Sequence, residues 1–169
     1  MPLAFRPYVS ESGQTDSESK GSSGSLPRVA ALASSSKPQV YTYRYFPPGE
    51  GWFPSPMIPI VLRGPGDLFM GYALADSGAD STAIPLAEAA VLGIDLERDC
   101  RREVGGSANG AGEQFVFNGT LEAQVEDVQF RVTATFMDTP VILLGQEDFF
   151  RRFHVAFDHR EQAVTIRPF

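Results

Sequence analysis

The pattern of apolar and polar positions changes near residue 39 and divides the chain into two parts. Residues 10–25 contain no apolar side chain and are rich in serine. Such a stretch cannot bury enough surface to offset the entropy lost on ordering. The sequence therefore predicts a disordered, Ser-rich tail over residues 1–38, followed by one folded domain over residues 39–169.

Apolar side chains alternate with polar ones over most of this domain, a period of two that is typical of half-buried strands. The alternation places Tyr41, Tyr43 and Tyr45 on one face of a first strand. Turns at residues 64–67 and 126–127 predict two hairpins. The predicted strands are Val40–Tyr45, Met57–Arg63, Leu68–Leu74, Leu121–Val125, Val128–Phe136, His154–Asp158 and Ala163–Ile166.

Two short segments have helix signals. The first runs from Pro85 to Gly93, and proline is favoured at the first helical position because its missing N–H has no partner there. The second, Gln146–Phe153, follows Gly145. Since strands outnumber helices, the sequence predicts an all-β fold with one or two short helices.

Composition and charge argue against several kinds of partner. The net charge of −7 and the pI near 4.8 do not favour binding to nucleic acid or to an anionic membrane surface. No apolar run approaches the about 20 residues that span a bilayer, and the first residues lack the apolar core of a signal peptide. We therefore predict a cytoplasmic location, with no nucleic-acid or membrane partner.

Cysteine and histidine are too scarce for disulfide or metal chemistry. Cys100 is the only cysteine, so no disulfide forms within the chain. His154, Asp158 and His159 lie near one another in sequence, but a metal site needs more ligands at suitable spacing. We predict no metal and no cofactor.

The most informative stretch is Ala73–Thr82, where apolar residues run directly into a turn that begins with Asp76. This arrangement ends a buried strand on a carboxylate and then bends the backbone sharply, which Gly78 permits because it has no Cβ. Asp76 thereby gains a fixed position. Asp, Ser and Gly are also ordinary turn residues, so a structural turn after a strand is the alternative.

The sequence Asp-Ser-Gly-Ala at residues 76–79 resembles the active-site loop of the retropepsin-like aspartic proteases, which occurs once per chain. Downstream, residues 141–145 are similar to the hydrophobic-hydrophobic-Gly element that the family threads past its catalytic loop. The resemblance covers about residues 57–167. It implies a small closed barrel, in which Ala79, Leu144 and Gly145 support the loop.

The resemblance implies chemistry that needs two carboxylates. Two Asp side chains about 3 Å apart cannot both ionise, so they share one proton. No second Asp-Thr/Ser-Gly occurs in this sequence. The resemblance therefore implies a homodimer in which Asp76 of each subunit is catalytic, Ser77 bonds to the second copy of the loop and Gly78 permits the turn.

A glycine-rich stretch is the candidate for the flap that the family closes over its substrate. Four glycines occur among residues 104–112, and β-prone residues follow. A surface loop without a role is the alternative, and a phosphate-binding loop would need a Gly-Lys-Ser/Thr ending. Asp80, four residues after Asp76, is a further candidate, and the alternative for it is a solvated loop carboxylate or a cap of the following turn. The substrate-binding residues that the resemblance implies are Asp80, Gly105, Gly106, Ser107 and Gly110.

These features predict an aspartic endopeptidase that hydrolyses an extended peptide or protein substrate. The alternative is a catalytically inactive dimerisation or peptide-binding module on the same fold, because a fold does not fix a function. The intact Asp76 and the glycine-rich stretch favour the enzyme.

Overall fold

The computed structural model describes residues 37–45, 53–106 and 113–169. Over these residues the fold is all-β, which confirms the predicted class. The predicted tail lies outside them, except for its last two positions. In this part of the chain, no helix is long and apolar enough to cross a membrane.

The strands, numbered in chain order, are β1 (Gln39–Thr42), β2 (Arg44–Tyr45), β3 (Pro54–Ser55), β4 (Met57–Arg63), β5 (Leu68–Ala75), β6 (Thr82–Pro85), β7 (Arg101–Gly106), β8 (Glu113–Val125), β9 (Val128–Met137), β10 (Ile142–Leu144), β11 (Phe153–Asp158) and β12 (Ala163–Pro168). The helices are α1 (Glu88–Val91), α2 (Leu96–Asp99) and a π-helix, Gln146–Phe150.

Strand pairing builds one large sheet that returns on itself. Its order is β4-β5-β10-β6-β9-β8-β7, and β4 also pairs with β8. Six strands therefore form a ring, and among the described strands β7 pairs with β8 alone. A second, antiparallel sheet has the order β1-β12-β11, and β2 pairs with β3.

The core is built by side chains that alternate along these strands. On β4, Ile58, Ile60 and Leu62 are buried, whereas Arg63 is exposed. On β8 and β9, every second residue is buried from Leu121 to Val125 and again from Phe130 to Phe136, which confirms the predicted hairpin with one buried face. Each large side chain buried in this way stabilises the fold by roughly 1.5–3 kcal/mol.

The helix predicted from Pro85 to Gly93 is shorter than expected. Pro85 is the last residue of β6 and lies opposite Met137 of β9, so its position is set by the sheet and not by a helix start. The N–H of Leu86 still donates to the carbonyl oxygen of Met137, at 3.2 Å. Only Glu88–Val91 is helical, and Gly93 follows with a φ of +69°.

The prediction of one or two helices is wrong, because the described residues contain three short helical segments. Helix α2 was not predicted, although Asp95 before it accepts the N–H groups of Glu97 and Arg98 in the manner of an N-cap. The segment predicted as the helix Gln146–Phe153 forms the shorter π-helix, and Phe153 begins β11.

The prediction of one strand over Val40–Tyr45, with its tyrosines on one face, is also wrong. The strand breaks at Tyr43, whose N–H donates to the carbonyl oxygen of Gln162 at 2.6 Å. Tyr43 is 7% exposed and Tyr45 is 62% exposed. The break separates β1, which pairs with β12, from β2, which pairs with β3.

Candidate active site

Asp76 follows the last residue of β5 and is held by backbone bonds on both sides. Its N–H donates to the carbonyl oxygen of Leu144 at 3.1 Å, and its own carbonyl oxygen accepts the N–H of Ala79 at 3.2 Å. Its carboxylate atom Oδ1 accepts the N–H of Gly78 at 2.9 Å. The half-buried carboxylate therefore has a fixed orientation at the start of the turn.

Strand β10 lies between β5 and β6, the two strands that the Asp76 loop joins. It runs parallel to β5, with Leu144 opposite Ala75, and antiparallel to β6, with Leu143 opposite Ala83. Strands β5 and β6 are therefore consecutive in the chain but not adjacent in the sheet. This insertion brings the hydrophobic-hydrophobic-Gly element, residues 141–145, into contact with the loop.

Gly145, directly after β10, packs so closely on the loop that a larger residue does not fit. A Cβ there would lie 2.3 Å from the carbonyl oxygen of Ser81 and 2.8 Å from that of Ala79. Its φ of −97° is open to any residue, so the position requires glycine for its size and not for its backbone conformation.

Gln146 and the residue after it hold the other side of the loop. The N–H of Gln146 donates to the carbonyl oxygen of Ala79 at 2.9 Å, and its Nε2 donates to that of Ser77 at 2.7 Å. The N–H of Glu147 donates to the carbonyl oxygen of Asp80 at 2.8 Å. Sequence reasoning gave Gln146 no role, and its one local signal is a polar side chain directly after the glycine.

Asp148 is a buried carboxylate that the sequence did not single out. It is 5% exposed, and it accepts the N–H of Thr82 at 3.4 Å and the N–H of Thr133 at 3.3 Å. Because Thr82 begins β6 and Thr133 lies on β9, Asp148 ties the π-helix to two strands of the ring. Through Thr82, the first residue of β6, Asp148 supports the end of the Asp76 loop.

The outer side of the loop is exposed. Ser77 and Asp80 are both exposed residues, so their side chains are accessible to a second molecule. The expectation that the turn depends on the missing Cβ of Gly78 is wrong, because its backbone is not left-handed and a Cβ there would have Oδ1 of Asp76 as its nearest neighbour, at 3.3 Å. The structure thus brings together the predicted residues 76–80, Leu144 and Gly145 at one place.

Strands β7 and β8 form a hairpin around the glycine-rich stretch. Gly105 and Gly106 are the last residues of β7 and pair with the start of β8. Ser107 and Gly110, the other two predicted residues of this stretch, lie outside the described residues.

One face of this hairpin packs towards the strands beside Asp76. Val116 of β8 belongs to a small apolar cluster with Ala83, Met137 and the half-buried Leu143. Ala83 and Leu143 lie on β6 and β10, next to the loop. The sequence alone does not reveal this cluster, because its members come from four separate strands.

The other candidate side chains take part in local structure. The ring of His154 packs at 4.0 Å from that of Phe169, and Oδ1 of Asp158 accepts two N–H groups at residues 160–161. Within the residues that the structure describes, no group of three or more His, Cys, Asp or Glu side chains could hold a metal ion.

Cys100 is a poor nucleophile in this environment. Burial raises the pKa of its thiol, and the neighbouring Asp99 carboxylate raises it further. The thiol therefore stays protonated near neutral pH, and the thiolate is the reactive form.

Neither the protein-family models nor the curated proteins include a match to this chain.

Proposed function

We propose that this chain is one subunit of a homodimeric aspartic endopeptidase of the retropepsin type. The observation that supports it most strongly is the fixed Asp76 loop, with β10 inserted between the two strands that the loop joins. The ring of six paired strands supports the small closed barrel that the resemblance implies.

A second copy supplies the second carboxylate. The outer side of the loop is exposed at Ser77 and Gly78, so two copies can meet there about a two-fold axis. In this arrangement the Ser77 hydroxyl of each subunit bonds to the opposite loop. The two Asp76 carboxylates then lie about 3 Å apart and share one proton.

The shared proton allows one carboxylate to act as a base while the other acts as an acid. The ionised Asp76 removes a proton from a bound water as the water oxygen attacks the peptide carbonyl carbon. The protonated Asp76 gives its proton to the carbonyl oxygen. The Asp76 that took the water proton then gives it to the leaving nitrogen, while the other Asp76 takes a proton back from a hydroxyl of the tetrahedral intermediate. The C–N bond breaks, and the pair of carboxylates returns to its starting protonation.

An extended peptide is the substrate that the surroundings favour. It binds as an added strand through backbone hydrogen bonds, with the β7–β8 hairpin on one side and the Asp76 loop on the other. Gly105 and Gly106 present backbone groups without side chains on the hairpin. The apolar cluster around Val116 offers walls for apolar side chains, and Asp80 bonds to the peptide backbone.

Cleavage of an unbiased peptide library by wild type and by Asp76→Asn tests the proposal. The amide has nearly the shape of the carboxylate but cannot act as a base, so we expect cleavage to fall below a tenth of the wild-type rate. Asp67→Asn is the matched control. Asp67 is an exposed turn carboxylate whose Oδ1 accepts the N–H of Leu68 at 2.7 Å, a bond that the amide oxygen retains.

Equal cleavage by wild type and Asp76→Asn would show that another group is catalytic. A wild-type dimer that binds peptides without cutting them would instead identify the chain as an inactive binding module on this fold.

A further inference from the structure

A chain of side-chain hydrogen bonds runs from the loop between β5 and β6 to the β7–β8 hairpin. Oγ of Ser81 lies 3.3 Å from Oγ1 of Thr135, and the Thr135 hydroxyl donates to Oδ1 of Asn118 at 2.9 Å. Nδ2 of Asn118 donates to Oε2 of Glu103, also at 2.9 Å. Nε of Arg101 lies 2.9 Å from Oε1 of the same carboxylate. We call these five residues the polar ladder.

The polar ladder runs from the residue before β6 across three neighbouring strands in sheet order, β9-β8-β7. Thr135 lies directly opposite Asn118, and Asn118 lies directly opposite Arg101, so their side chains share one face of the sheet. Ser81 immediately precedes β6, and Glu103 is diagonal to Asn118 on β7. Apart from Arg101, these residues are half-buried, although 40% of the Glu103 side chain is exposed.

Every donor of the polar ladder points towards Glu103. The Thr135 hydroxyl has one proton and gives it to Asn118, so Ser81 is the donor in the bond to Thr135. Hydrogen bonds aligned in one direction polarise one another, and the last acceptor here is a charged carboxylate. A break at any point therefore weakens the bonds on both sides of it.

We propose that Glu103 and Asn118 are positioning residues that hold β7 in place relative to the Asp76 loop. Among the described strands β7 pairs with β8 alone, so its backbone has one attachment to the ring. The polar ladder is a second attachment, and it ends at Ser81, the residue whose carbonyl oxygen Gly145 packs against. This inference rests on the proposed function, in which the hairpin contacts the peptide that Asp76 cleaves.

Thr135→Val tests the proposal, because it removes the central hydroxyl with little change in shape. We expect amide hydrogen exchange in residues 101–105 to become about three- to tenfold faster, which corresponds to the loss of one or two hydrogen bonds. We expect KM for a peptide substrate to rise by a similar factor with a smaller change in kcat, because peptide capture is weakened more than the chemical step.

Two more variants separate positioning from a general loss of packing. Asn118→Asp places a second carboxylate beside Glu103, so it should accelerate exchange in residues 101–105 at least as much as Thr135→Val. Glu103→Gln keeps an oxygen that accepts the Asn118 N–H but loses the ion pair with Arg101, so exchange should become faster than in wild type by a smaller factor than in Thr135→Val.

The matched controls lie on β8 and β9 but outside the polar ladder. Thr133→Val makes the same chemical change on β9, and the Thr133 bond to Asp148 uses the backbone N–H, which the variant keeps. Glu122→Gln alters an exposed pair with Arg131, whose atoms are 3.5 Å apart. Neither variant should change exchange in residues 101–105.

If amide hydrogen exchange in residues 101–105 of Thr135→Val is as slow as in wild type, the positioning role is overturned, whatever the peptidase assay shows. Equal acceleration by Thr133→Val would overturn it as well. Exchange that becomes faster in Thr135→Val but not in Thr133→Val supports the positioning role, even if wild type cleaves no peptide. A wild type that cleaves no peptide counts against the proposed function only.

Discussion

Replacing Gly145 with alanine tests how the hydrophobic-hydrophobic-Gly element packs on the Asp76 loop. The backbone there has φ −97° and ψ −177°, so Gly145→Ala adds no torsional strain. The new Cβ would, however, lie 2.3 Å from the carbonyl oxygen of Ser81 and 2.8 Å from that of Ala79. Both contacts are with backbone atoms, which cannot rotate away as a side chain would.

The loss in the free energy of unfolding depends on how far the Asp76 loop and the end of β10 must move apart to relieve these contacts. Non-bonded atoms prefer about 3.5 Å, so the loop and the end of β10 must move apart by roughly 1 Å. That movement stretches the bonds from Gln146 to Ala79 and from Glu147 to Asp80, now 2.9 and 2.8 Å long. Overpacking costs about 1–3 kcal/mol and each weakened bond about 0.5–1.5 kcal/mol. We expect the free energy of unfolding to fall by about 2–6 kcal/mol.

Urea unfolding measures this loss, with all variants at one protein concentration because the stability of a dimer depends on concentration. Gly78→Ala is the matched control, since its backbone is not left-handed and its Cβ would have Oδ1 of Asp76 as nearest atom, at 3.3 Å. It should change stability by less than about 1 kcal/mol but abolish cleavage, because a methyl group then crowds the carboxylate.

Unfolding of Gly145→Ala at the wild-type urea concentration would show that the loop accommodates a Cβ at this position. Equal destabilisation by Gly78→Ala would show that the close backbone contact is not the cause.

Three further results are expected. Light scattering should give about twice 18.4 kDa, and a strict monomer that cleaves peptides would contradict the need for two carboxylates. Peptidase rates should fall between about pH 5 and about pH 9, because the pair of carboxylates must keep its shared proton; a steady rise would rule that pair out. Asp148→Ala should lower the free energy of unfolding in urea by about 2–4 kcal/mol, because the N–H groups of Thr82 and Thr133 lose their acceptor. A loss below about 0.5 kcal/mol would show that water replaces the carboxylate.

The parts of the fold that local pattern determines were predictable. Met57–Arg63 was predicted with both ends correct, because its alternation and the turn after it lie within one short stretch. The turn of the β8–β9 hairpin at residues 126–127 was also predicted correctly, although β8 begins at Glu113 and not at Leu121, and β9 ends at Met137 and not at Phe136. One local signal was overlooked, since Asp95 before Leu96–Asp99 is an ordinary N-cap.

The errors in the predicted elements arise where a distant strand decides the outcome. Pro85 has the local features of a helix start, but Met137 of β9 lies opposite it and keeps it in the sheet. Tyr43 continues the alternation of its strand, but its bond to Gln162 ends β1 there. Neither partner is visible in a short sequence window, so tertiary pairing overrides local propensity.

The two carboxylates Asp76 and Asp148 show why the candidate site was only partly predictable. An apolar stretch lies upstream of each, directly before Asp76 and with residues 145–147 intervening before Asp148. The residues that follow each carboxylate separate the candidate catalytic group from the structural one more clearly. Ser77 and Gly78 are small and exposed, and they leave Asp76 at an open turn. Phe149 after Asp148 is fully buried, and its burial draws the carboxylate into the fold, where backbone N–H groups must satisfy it.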